Sequence, residues 1–181
     1  MKLSVSSFLL ALATLVAAPL AHAQNRIMMQ IPGITGESQL QGFTGWIELD
    51  AVSFGVSRAS PNPASQPQMS GIQVSKRGDS TSPLIFGKVV NGNELGSGGS
   101  PVRIRYLKDV ASGPGLDLQP YMEIDLEDAL IDSMSNYTGG EFPMESLNLQ
   151  VKKFTLTTKF YNPDGSENIN KRQQVSYDFI P

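Results

Sequence analysis

The sequence predicts a mainly β fold in which a strongly curved, closed sheet is flanked by one helix. Three observations carry this expectation. Period-two runs of apolar residues fill most of the chain, two long runs move their apolar set to the other face, and only one stretch has helix signals. Successive side chains of a strand point to opposite faces. A change of parity within a run therefore marks a bulge or bend, as where a strand turns a barrel corner.

The first such run is Thr44–Ser57 (TGWIELDAVSFGVS), with Ile47, Leu49 and Ala51 on one face and then Val52, Phe54 and Val56. The switch falls near Asp50 to Val52. Val102, Ile104 and Tyr106 alternate with Arg103 and Arg105, and Met122, Ile124 and Leu126 alternate with Glu123, Asp125 and Glu127. Leu147, Leu149 and Val151 form another face, and Phe154, Leu156 and Phe160 switch parity around Lys152-Lys153. Val175, Tyr177 and Phe179 close the chain.

The helix is expected from Ser82 as N-cap and Pro83 as first helical residue, where a missing N–H costs nothing. Leu84, Ile85, Val89 and Val90 give its apolar stripe, and Gly92 stands at the C-terminal stop. A helix this short holds only by packing on the sheet. Arg58–Ser70, with prolines at 61, 63 and 67, is expected as a long exposed loop. Gly92–Ser100 and Ser112–Gly115 are glycine-rich connections, and Asn162–Ser166 is a turn with Gly165 at positive φ.

Residues 1–23 are expected to lie outside the fold. Lys2 supplies a positive start, Phe8–Val16 an apolar core, and Ala21-His22-Ala23 the small residues that a signal peptidase reads. The apolar run is shorter than the roughly 20 residues of a membrane-spanning helix. Cleavage after Ala23 leaves one domain, residues 24–181, directed to the periplasm or the exterior. The 181-residue chain carries a formal charge of −3, and losing Lys2 makes it one unit more negative. Without a basic run it is a poor partner for nucleic acid, whose binding rests on Lys and Arg at phosphates. Nor is an anionic membrane surface expected to bind it.

The chain has no cysteine, and its single histidine, His22, lies in the leader. The remaining domain cannot form a Ser-His-Asp triad, a Cys-His dyad or a His- or Cys-ligated zinc site. The glycines at 96, 98 and 99 follow the helix and precede no Gly-Lys-Ser/Thr, so they read as a flexible loop and not a phosphate cradle. Glu123, Asp125, Glu127, Asp128 and Asp132 could in principle cleave a glycoside or hold calcium. The first three alternate with Met122, Ile124 and Leu126, which makes them the outward face of a strand, with Arg103 and Arg105 as candidate cross-strand partners, and the spacing matches no calcium loop. Asn136-Tyr137-Thr138 fits the glycosylation sequon only by a short pattern, and Trp46 reads as packing. No catalytic, cofactor-binding or metal-ligating residue is assigned.

Ile31–Ser38 (IPGITGES), Gly45–Leu49 and Ser53–Arg58 are similar to the opening strands of the Hcp family, the haemolysin-coregulated proteins. Ser82-Pro83-Leu84 resembles the start of that family's main helix. Gly139-Gly140, Glu145-Ser146-Leu147 and Tyr177-Asp178 resemble its last strands, and the pieces run in the family's order. The resemblance implies a β-barrel of two antiparallel sheets with one flanking α-helix. It also implies a homohexameric ring, stacked into the tube of a type VI secretion system beside spike and effector proteins, with no enzymatic activity. By its position, the 58–70 loop resembles the segment that reaches a neighbouring ring.

Tube subunits of that family are normally made without an export signal, so the leader sets this chain apart. Three readings follow: a tube subunit, an exported Hcp-like binding or structural protein working without the secretion machine, and a carboxylate enzyme. N-terminal sequencing of protein from the native host is expected to start at Gln24. A start at Met1, Met28 or Met29 would overturn the export reading.

Overall fold

The structure, a computed structural model, describes residues 26–179 apart from residues 63, 113, 114 and 139. The expected leader, residues 1–23, lies outside the described residues. Eight strands and one α-helix follow in the order β1 (Arg26–Gln30), β2 (Ile47–Leu49), β3 (Ala51–Arg58), β4 (Pro67–Arg77) and α1 (Ser82–Asn91). Then come β5 (Val102–Ser112), β6 (Gly115–Thr138), β7 (Pro143–Thr158), a 3-10 turn at Ile169–Lys171 and β8 (Gln173–Asp178).

All pairs are antiparallel, and the hydrogen-bonded order is β2-β1-β5-β6-β7-β4-β3, with β8 also on β7. The expected two sheets are therefore one. The reason is the length of β7, whose first half (Met144–Leu149) pairs β4 while its second half (Lys153–Thr158) pairs β8. The hand-over occurs at Gly71, whose φ of +86° turns β4 away from β7; a Cβ there would meet the Asn148 side chain at 2.7 Å. Among the described residues no ladder joins β2 to β3, so pairing does not close the sheet into a barrel. The two ends of the order are nonetheless one chain run, interrupted at Asp50, whose N–H donates to the Ser75 carbonyl at 2.8 Å.

Both changes of parity occur. In the first run Ile47 and Leu49 are buried; beyond Asp50 the inward side passes to Val52 and to Phe54, whose ring lies 5.2 Å from that of Phe154. In the second, Val151 and Phe154 are buried on either side of Lys152-Lys153. The sequence did not indicate that β6 switches at the same level. Leu126 opposite Phe154 and Ala129 opposite Val151 are all buried. The turn between them is made at Asp128, at φ +49° the one non-glycine residue with positive φ among the described residues. A strand that rotates its apolar set must carry its partner with it, or core positions would face solvent. Leu95 locks the bend by exchanging two backbone hydrogen bonds with Ala129, at 2.7 and 2.8 Å.

Helix α1 starts one residue before its expected position. Thr81 is the N-cap with no side-chain cap, Ser82 is already helical, and Gly92 ends the helix at φ +59°. Thr81 is left unused as a cap because its hydroxyl donates to Asp79, while Ser82 Oγ accepts the Asp79 N–H at 3.1 Å. The exposed loop is also shorter than expected. Arg58 pairs with Pro67, so Pro67–Ser70 belong to β4 and residues 59–66 form the tip of a β3–β4 arm. Gly96 is not a flexible position: its φ is +75°, and a Cβ would stand 2.6 Å from the Leu126 carbonyl oxygen and 2.8 Å from the Val102 nitrogen. Gly98 and Gly99 face open space. The Asn162–Ser166 turn forms as expected, with Gly165 at φ +87°.

One core joins Ile47, Ile72, Val74, Ile85, Ile104, Ile124, Leu147 and Leu149. A smaller cluster of Met28, Phe43 and Leu107, with Trp46 against Phe43 edge to face at 5.2 Å, sits beside it. Gly96→Ala is expected to cost more than about 1 kcal/mol, since it adds strain at positive φ to a backbone clash. Gly98→Ala should cost no more than the strain alone. Urea unfolding of the two variants measures the difference.

Candidate functional site

The outward carboxylates are each committed to a neighbour. Arg105 stands opposite Glu123 in the β5–β6 ladder and lies 3.6 Å from it, with its Nη2 2.7 Å from Asp125 Oδ1. Its Nη1 donates to the Ile104 and Ile124 carbonyls at 3.0 Å each. Lys159 adds a second cation to Glu123 at 2.7 Å. Arg103 does not pair with a carboxylate and donates to Gln30 instead, at 3.3 Å. Lys153 Nζ donates to Glu127, and Lys152 Nζ to Glu94, both at 2.7 Å; these hydrogen bonds hold the two ammonium groups above their usual pKa. Lys152 also lies 4.0 Å from Asp128.

Asp132, the extra residue of a bulge in β6, accepts from Asn148 and Gln150. Among the described residues no group of three His, Cys, Asp or Glu side chains is placed to hold a metal ion. The face is the ion-paired strand surface expected of it, but half-buried at Arg105 and Glu123, where a fully solvated face was expected.

Lys76 was missed. Its side chain is fully buried, with Nζ 2.8 Å from Glu145, 2.9 Å from Asp79, 2.7 Å from the Arg77 carbonyl and 3.3 Å from Ser82 Oγ. Lys76 and Glu145 stand directly opposite one another in the β4–β7 ladder. A parity signal was present, because Lys76 continues the core side of Ile72 and Val74, and Glu145 that of Leu147 and Leu149. The group binds β4, β7 and the start of α1 together, and its acceptors leave the ammonium no free donor for a substrate.

Lys108 lies over the rings of Tyr121 and Tyr161, at 5.7 and 5.3 Å. Burial pushes the Tyr106 and Tyr161 phenols up to about 12, and Tyr161 donates to the Pro120 carbonyl at 2.8 Å. Both phenols stay protonated at physiological pH and act as packing groups. Asn136 lies in β6 opposite Glu145.

The remaining functional surface is edge and uncovered apolar area. Among the described residues β8 pairs only with β7, β3 only with β4 and β2 only with β1. Leu84, Phe86 and Val90 on α1 and Val175 and Tyr177 on β8 are exposed. Unprotected edges and apolar patches are sites of association between chains. No helix among the described residues is long and apolar enough to cross a membrane.

Comparison with known proteins gives this surface its context. The fold is similar to that of Hcp1 from Salmonella typhimurium, with a TM-score of 0.67 at 16% identity over 85% of this chain and 94% of that one. It is similar to a type VI secretion system effector from Yersinia pestis, with a TM-score of 0.64 at 19% identity over 84% and 98%. The secreted protein Hcp3 from Pseudomonas aeruginosa matches with a TM-score of 0.58 at 19% identity over 85% and 99%. No curated protein sequence matches significantly. The profile of the family described as type VI secretion system effector, Hcp, matches residues 28–157, most of the chain, and the chain therefore belongs to the Hcp family.

Proposed function

We propose that the protein is a ring-forming structural subunit of the type VI secretion kind, exported through its leader and assembling as a homohexamer whose lumen can carry effectors. The family match over residues 28–157 carries this reading. The surface supports it: paired charges, unpaired strand edges and uncovered apolar residues suit association between copies. A closed ring satisfies such edges by symmetry. In this reading the curled sheet works as a closed barrel, the run from β2 into β3 joining its two ends, and the subunit has no enzymatic activity.

A second reading is favoured by the Lys2, Phe8–Val16 and Ala21–Ala23 pattern. An exported Hcp-like binding or structural protein would act in the periplasm or outside the cell without the secretion machine. The two readings differ in whether rings stack and fire.

Light scattering and electron microscopy of the purified protein are expected to show rings of six copies. A monomer at every concentration would overturn the ring-forming subunit and leave the exported binding protein.

The tip of the β3–β4 arm is expected to contact an adjoining ring. Bonds within the arm brace it: Arg58 donates to the Ser65 carbonyl, the Ala64 N–H to Asn62 Oδ1 at 2.9 Å, and Ser65 Oγ to the Asn62 carbonyl at 2.7 Å. Replacing residues 60–66 by a Gly-Ser linker, which spares β4, should leave thermal unfolding nearly unchanged, because long surface loops cost little to alter. Stacking seen by electron microscopy should fall. Stacking at the wild-type level would remove the tip from the contact.

A further inference from the structure

Helix α1 is apolar on both sides. Ile85 is buried and Val89 packs against the core, which fixes the inner face. Pro83, Phe86, Gly87 and Val90 then fall at i, i+3, i+4 and i+7 on the outer face, a second stripe of helical period. Phe86 is 59% exposed and Val90 66%. At the centre of this stripe Gly87 has no role in the chain's own packing, since a Cβ there would meet nothing within 4 Å and its φ is not positive. A glycine inside a helix weakens it relative to alanine. Its use is close approach, and nothing among the described residues approaches.

The second half of the observation lies on β8. Val175 stands opposite Leu156, and Tyr177 opposite Phe154, in the β7–β8 ladder. Directly opposed residues share a face, and Phe154 is buried while Leu156 packs against the core. Val175 and Tyr177 therefore extend the inner face of the sheet past the edge of the core, and they are uncovered, Val175 at 59%. The charges at the two surfaces are complementary. Beside β8, Lys171 and Arg172 are exposed and make no ion pair among the described residues. Ahead of α1, Glu37 is exposed, likewise unpaired with any cation, and is kept ionised by hydrogen bonding from Ser80, whose N–H donates at 2.9 Å.

We propose that the outer face of α1, centred on Gly87, docks on the uncovered inner-face extension of β8 in a second copy of this chain, and that this head-to-tail contact joins neighbours in the ring. The proposal rests on the ring reading and names its contact. Two different patches of one chain, each fitted to the other, give a heterologous interface, which closes as a ring when its rotation permits. Helix on sheet completes for each β8 the layer its own chain leaves off. Glu37 of one copy then faces Lys171 and Arg172 of the next.

The chain has no cysteine, so an engineered pair reports alone. Val90→Cys and Val175→Cys replace exposed residues of the two patches and leave Gly87 bare for the approach, and circular dichroism checks that the variants fold. The full chain carrying both, oxidised and run without reductant, is expected to give a ladder of covalent multimers ending at the ring size. Each single variant should stay monomeric on the gel. Rings that form by light scattering while the double variant fails to cross-link would overturn the contact and leave the ring reading intact. Single variants that cross-link as symmetric pairs would also overturn it. A wild-type chain that never leaves the monomer would instead sink the ring reading, and this contact with it.

Discussion

The fold turns on an ammonium group buried away from the surface. Lys76 Nζ is fully buried among the Glu145 and Asp79 carboxylates and the Arg77 carbonyl. Burying a lone charge is prohibitive, so the group must keep its partners, and they come from three places in the chain. Glu145 fixes the register of β7 against β4, while Asp79 and Ser82 fix where α1 leaves the sheet. A one-residue slip of β4 would point Ile72 and Val74 outward and strand Lys76 away from Glu145. Hydrophobic residues of similar size could give equal stability at this position. What the ion pair adds is a penalty on the wrong register.

The same logic governs the bend shared by β6 and β7. The left-handed Asp128 and the Lys152-Lys153 pair let both strands change sides together, so the apolar face continues around the curl from Leu126 and Phe154 to Ala129 and Val151. Leu95 caps the bend from the outer edge, and Gly96 allows the connection after α1 to lie against the Leu126 carbonyl. Charge is used to satisfy bends and surfaces and is not gathered into a reactive centre. Glu123 has two cations, Glu127 and Glu94 one each, and Asp132 two amides. Among the described residues the ionisable groups serve bends and surfaces in this way, and what stays uncommitted is strand edge and apolar face.

Much of this was legible in the chain. Period-two alternation located the strands of the core, because burial of one face leaves a mark at every second residue. The parity changes near Asp50 and Lys152 revealed curvature for the same reason. Pro83 and Gly92 bracketed α1, being residues whose backbone restrictions act locally. The charged face of β6 was correctly set opposite arginine by alternation alone, although which arginine paired was not, since Arg103 turned to Gln30 and Arg105 took both carboxylates.

The sequence by itself determined what is local and periodic: strand faces, the helix, the turn at Gly165 and the absence of histidine and cysteine chemistry from the domain. The tertiary structure alone decided what depends on two segments meeting. It placed Lys76 against Glu145, joined two expected sheets through the length of β7, drew Pro67 into a strand by pairing it with Arg58, and made Gly96 a point of close packing. It also decided which apolar residues stay exposed, for Leu84, Val90, Val175 and Tyr177 look like core in the sequence. Burial is a property of the partners a residue finds, and on these two faces the described residues supply little beyond the Phe179 ring, 4.9 Å from that of Tyr177.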